Sequence, residues 1–141
     1  MKTQEELAEQ VRAAFSGKLG KFRPCAFFDD RLDCIRVITR DCSILETRIN
    51  ECITVLEDNY PESGEKRYVG FTIKGARHFC REHNFNLATP IEMSALLDAI
   101  LASFPDVAVE LFVNAIARPL VKKEKIKRID VSRALPQAQP A

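Results

Sequence analysis

Ser43-Ile44-Leu45-Glu46-Thr47-Arg48-Ile49-Asn50-Glu51-Cys52-Ile53-Thr54-Val55-Leu56-Glu57-Asp58 lies between two β-favouring regions, and its reading sets the strand count. Ser43 followed by Glu46 has the form of a capping box, which satisfies two free backbone donors at a helix start. Leu45, Ile49, Cys52, Ile53 and Leu56 then recur at the spacing of one helix face. The pattern predicts a helix over residues 43–58.

On the N-terminal side, residues 22–28 and 32–40 are β-favouring runs flanking Asp29-Asp30-Arg31, which is a hairpin signal. Ile35, Val37 and Thr39 fall on one face of the second run, and Cys34, Arg36, Ile38 and Arg40 on the other. One covered and one partly wet sheet face are therefore expected. Further upstream, Thr3 and Glu6 make a second capping box, with Leu7, Val11, Ala14 and Phe15 on one helix face and Gly17 and Gly20 as stops.

On the C-terminal side, residues 59–65 have loop composition, and Val69, Phe71 and Ile73 then alternate with Gly70, Thr72 and Lys74 as in a half-buried strand. Gly75 leads into a short helix carrying Ala76, Phe79, Cys80 and His83 on one side, with Asn84 as its left-handed stop. Thr89-Pro90-Ile91-Glu92 reads as a cap, a first-turn proline and a capping Glu, opening a helix with Met93, Leu96, Leu97, Ile100, Leu101 and Phe104 on its apolar face. Pro105-Asp106 ends it, and residues 107–117 read as a further helical piece, although Val107, Val109, Leu111 and Val113 also alternate as a strand would. The expected class is α+β: a small antiparallel sheet of about three strands under a layer of four to five helices, in the order α-β-β-α-β-α-α-α.

The chain has 141 residues, 46% of them apolar and 29% charged, as expected of one soluble globular domain. Its net charge of +1 hides an asymmetry. Residues 118–141 carry seven Lys or Arg against two acids, a net of +5, which leaves −4 on residues 1–117. The division expected is a compact domain over 1–117 and a basic, proline-containing arm over 118–141. The charged start of the chain does not resemble a secretory signal peptide, and no window reaches 18 uncharged apolar residues, so no membrane partner is expected. Cys25, Cys34, Cys42, Cys52 and Cys80 form an odd set without a CxxC pair, which points to reduced thiols and a cytoplasmic setting.

No catalytic or metal-binding set stands out. His78 and His83 lie five residues apart, about 140° around a helix, and only Cys80 and His83 share a face. Cys34 and Cys42 follow aspartates, which raise a thiol's pKa; only the expected helix start at Ser43 would favour a thiolate at Cys42. No cofactor is expected.

Three groups of residues carry the binding expectations. Arg36 and Arg40 on one strand face, with Arg31 and Arg48 near in sequence, suit carboxylate or phosphate groups. Lys74, Gly75 and Arg77, at a strand-to-helix turn, suit a small anion on exposed backbone N–H groups. Lys122, Lys123, Lys125, Lys127 and Arg128 form a run that could meet nucleic-acid phosphates, without aromatic residues to stack bases. Met93, Leu97, Leu101, Phe104 and Phe112 carry the apolar excess expected to bury against a second copy of the chain. The expected function is a homo-oligomeric interaction or binding module without catalysis. The alternatives are binding of a small molecule or anion, extending to a small enzyme, through the arginine face and the Lys74-Gly75 turn, and association with nucleic acid through the basic arm.

Overall fold

The computed structural model describes residues 3–8, 22–62 and 64–130. A helical turn, α1, occupies residues 4–8, and the Thr3 hydroxyl accepts from the Glu6 N–H at 3.2 Å as the capping box requires. Val11, Ala14, Phe15, Gly17 and Gly20 lie outside the described residues.

Strands β1 (Cys25–Asp29) and β2 (Cys34–Ile38) form the first hairpin. Asp29 shapes its turn, because the carboxylate accepts from the N–H groups of Arg31 and Leu32. The helix predicted over residues 43–58 is instead a second hairpin, β3 (Ile44–Arg48) and β4 (Ile53–Asp58). Leu45, Ile49 and Ile53 are four apart, a step that keeps residues on one face in a helix and in a strand alike. The decision falls to the turn and to branching. Asn50 accepts from the N–H groups of Cys52 and Ile53, closing a tight turn, while Ile44, Thr47, Ile49, Ile53, Thr54 and Val55 favour the pleated chain. Ser43 caps no helix; its hydroxyl and carbonyl both face Asn59.

Strand β5 (Tyr68–Lys74) slots between the two hairpins, giving a five-stranded sheet in the order β1-β2-β5-β4-β3 with every neighbouring pair antiparallel. The expectation of about three strands is thus corrected to five, plus a separate two-stranded sheet. One face presents Ile35, Val37, Ile53, Val55, Phe71 and Ile73 to the helices, all but fully buried.

The helical layer follows: α2 (Ala76–Glu82), α3 (Met93–Ser103), α4 (Val107–Leu111), a π-helical stretch (Phe112–Ala117) and α5 (Arg118–Lys123). The Asp106 carboxylate caps α4 by accepting from the Val109 N–H, so residues 107–117 take the helical form and not the strand. Phe112 meets Phe71 edge-to-face at 5.2 Å, joining helices to sheet. The helix expected to open at Thr89 begins four residues later, at Met93. Ile91 and Glu92 are held extended as β6 (Ile91–Glu92) by antiparallel pairing with β7 (Arg128–Ile129). Beyond β7, Asp130 bridges the outer edge of β1: its N–H donates to the Ala26 carbonyl and its carbonyl accepts from the Phe28 N–H. Residue 118, where the basic arm was expected to begin, sits inside this continuous helical run, and Val121 and Ile129 are buried in the chain's own core. No helix among the described residues is long and apolar enough to cross a membrane.

Candidate functional site

The basic run folds back on the start of α3, and a cavity of about 470 Å³ forms between them. The construction is local. In α5, Arg118 and Lys122 are four residues apart and share a face. The helix stops because Lys125 takes a left-handed conformation, φ 57°, while the Ile126 N–H donates to the Val121 carbonyl. The chain then runs extended, and the Lys127 carbonyl accepts from the first N–H of α3, that of Met93. This hydrogen bond fixes Lys127 and Arg128 beside the helix start.

Arg118, Lys122, Lys125, Lys127 and Arg128 therefore converge on one hollow whose wall contains a single acid, Glu92, and whose apolar part is Met93, Leu97 and Val121. Arg118 is already engaged, through Asp98 at 2.6 Å and the Asn114 side chain at 3.3 Å. The other four cations make no ion pair among the described residues. Glu92 makes no side-chain cap at the helix start, and Met93 and Ser94 of the first turn of α3 line the same hollow. A hollow of this volume is large enough for a small organic molecule, and its excess of cationic side chains gives it a positive potential.

Comparison with family models, curated proteins and solved structures finds no match for this chain.

The other expected residues are placed differently. Arg77 is occupied: its guanidinium binds the Asp30 carbonyl and carboxylate and lies 5.5 Å over the Phe28 ring, while its N–H donates to the Asp33 carboxylate. Asp33 thus holds the start of α2, where an anion had been expected at Gly75. Lys74 is exposed and lines a separate hollow of about 290 Å³ with His78, Phe79 and Ser103. Arg40 pairs with Asp58 at 3.7 Å and Glu62 at 3.8 Å. Arg36 lies across from Phe27 and Thr72 on the sheet face opposite the helices, and its Nε and the Thr72 hydroxyl are buried without hydrogen-bond partners among the described residues. Met93, Leu97 and Phe112 are buried within the chain, and Leu101 and Phe104 pack partly buried against the same core. Lys123 is exposed at the end of α5, outside the cavity wall. Of the expected sets, only the basic run is gathered into one hollow, and the arginine face and the Gly75 turn are not brought together with it.

Burial raises the pKa of all five thiols, and with residues 43–58 in a hairpin, Cys42 has no helix start beside it. The residues described contain no group of three or more side chains placed to hold a metal ion. One pair was invisible in the sequence: the His83 Nε2 meets the Ser103 hydroxyl at 2.5 Å, with the imidazole against the Phe79 ring. Twenty residues separate the two, and no motif links them. A serine nucleophile needs its base oriented by a third group, and among the described residues no carboxylate bonds the other ring nitrogen.

The fully buried Cys80 gives a pH prediction. Burial, with Asp33 adding to it, pushes its thiol from 9.0 up to about 11. The unfolded chain therefore loses this proton first. The associated stability is present in full below pH 9 and is lost as pH rises towards 11, a change on the order of 2 kcal/mol. Urea midpoints between pH 9 and 11 are expected to fall more steeply for the native chain than for Cys80→Ala; parallel slopes would refute the assignment.

Proposed function

We propose that the chain is a binding module for an organic polyanion bearing phosphate or carboxylate groups, seated in the basic cavity between α3 and the α5–β7 return. The observation that supports this reading is the convergence of Lys122, Lys125, Lys127 and Arg128 on one hollow without ion-pair partners among the described residues. Such a cluster repels itself unless an anion is present, so an anion of matching shape gains at every lysine it meets. Met93 and Leu97 add apolar contact for the organic part of the ligand. Binding, rather than catalysis, is the activity proposed, and five free cysteines support a reducing, cytoplasmic setting.

The test is calorimetric titration of the full chain with inorganic pyrophosphate, with adenosine triphosphate and with a short DNA duplex, at low and moderate salt. The small anions are expected to bind one per chain, more weakly as salt rises. The double variant Lys122→Glu/Lys127→Glu removes two charge-assisted contacts and should weaken binding by roughly 100-fold or more. Lys74→Glu, at the other hollow, should leave it unchanged. Binding of the duplex alone, with a steep salt dependence, would replace this reading by nucleic-acid association. Equal loss in the two variants would show non-specific charge attraction and refute the site.

A further inference from the structure

The two edges of the main sheet are treated differently. The outer edge of β1 is covered by Asp130. Among the described residues no strand pairs with the outer edge of β3, where Leu45, Glu46, Thr47 and Arg48 are all exposed and Leu45 shows 51% of its surface. The ladder to β4 says which groups face outward. Asn59 N–H donates to the Ser43 carbonyl and Ile49 N–H to the Ile53 carbonyl, so the odd-numbered residues bond β4. Ile44, Glu46 and Arg48 then direct their N–H and C=O groups away from the sheet.

We infer that this edge pairs antiparallel with the same edge of a second copy of the chain, about a two-fold axis through Thr47, so that the two sheets run on as one. The side chains choose this register. Residues with outward-facing backbone groups must oppose each other, so the copies can shift only in steps that keep Glu46 and Arg48 in phase. Centring on Glu46 would set Glu46 against its own copy, and centring on Arg48 would do the same for arginine. Centring on Thr47 sets Glu46 against the other chain's arginine twice over, with four backbone hydrogen bonds between the strands. On the opposite face the same register places Leu45 beside Ile49 of the other copy, which covers the exposed leucine next to a side chain that already packs on the core. Neither Glu46 nor Arg48 has an ion pair among the described residues, so no such ion pair has to be broken on association. The interface is independent of the basic cavity and of the apolar helix residues.

Sedimentation equilibrium of the full chain tests it. Pairing of strands this short buries less than a standard interface, so a dissociation constant on the order of 10 μM is expected. Glu46→Lys and Arg48→Glu each bring two pairs of like charges together and should weaken the dimer by roughly ten-fold or more. The double variant Glu46→Lys/Arg48→Glu exchanges the charges and should restore it. All of these positions are exposed, so unchanged circular dichroism is expected to accompany each loss. Thr47→Cys places two thiols across the axis in a close, non-hydrogen-bonded pair, and mild oxidation should give a covalent dimer that the native chain does not form. A chain that stays monomeric up to about 500 μM overturns the inference. So does a dimer that ignores both single reversals, or a charge exchange that fails to restore association.

Discussion

Gly70→Ala is expected to cost about 3 kcal/mol or more and to lower the melting temperature by roughly 10–20 °C. A methyl group at this position would lie 2.0 Å from the Val37 carbonyl oxygen, 3.0 Å from its carbon and 3.3 Å from the Ile38 Cα. All three are backbone atoms of β2, so no rotamer change relieves the overlap; the strands must part. They part at the worst place, because β5 is the central strand and Gly70 is also paired to Leu56 of β4, beside the register shift at Leu56/Glu57. Separation of β2 from β5 at Gly70 also strains the Thr39 N–H to Val69 carbonyl bond and the burial of Val37 and Phe71. Gly64 and Gly75 make the contrast, since a methyl group there meets open space and the cost is only that of their positive φ. A thermal melt followed by circular dichroism decides it: a shift of only a degree or two would mean that β2 and β5 do not approach as closely as described.

Gly70 also shows what can be read from the chain and what cannot. Its place in a strand follows from the alternation of Val69, Phe71 and Ile73, and that strand forms as expected. Its role does not follow, because the oxygen it makes room for is 33 residues away in sequence. Residues 43–58 failed for a related reason. Helix and strand share the four-residue step of Leu45, Ile49 and Ile53, and the local cap signal at Ser43 could not reveal that Asn50 closes a turn or that β4 would find β5. Once that segment is a hairpin, the order β1-β2-β5-β4-β3 becomes possible, since the central strand must come last of the five. Local signals worked where local contacts decide, as at Asp29 and at the Thr3 cap. The candidate site divides in the same way. The basic run was plain in the composition, but its convergence depends on non-local contacts, the pairing of β7 with β6 and the bond from the Met93 N–H to the Lys127 carbonyl. Conversely, Arg77 looked free because Asp30 and Asp33, which engage it, lie more than forty residues earlier.

Ile129→Asp should undo that convergence. Ile129 is fully buried in β7, opposite the buried Ile91 of β6, and its neighbour Asp130 is the residue that covers β1. An aspartate there puts a carboxylate among apolar side chains, a change of about 3–5 kcal/mol if the strand stayed docked. Only a few backbone bonds hold β7, so release of the strand costs less than burial of the charge, and the expected response is local detachment of residues 126–130. Two amides report it directly. The Phe28 N–H donates to the Asp130 carbonyl at 3.0 Å and the Met93 N–H to the Lys127 carbonyl at 2.9 Å, and both should lose protection from hydrogen exchange, whereas the β2–β5 ladder, bonded within the sheet, keeps its own. The cavity loses the wall that carries Lys127 and Arg128, so pyrophosphate affinity should drop to about that of Lys122→Glu/Lys127→Glu although every lysine is still present. Retained protection at Phe28 and Met93, or unchanged affinity after their release, would show that the β7 return neither ties the helical layer to the sheet nor builds the anion site.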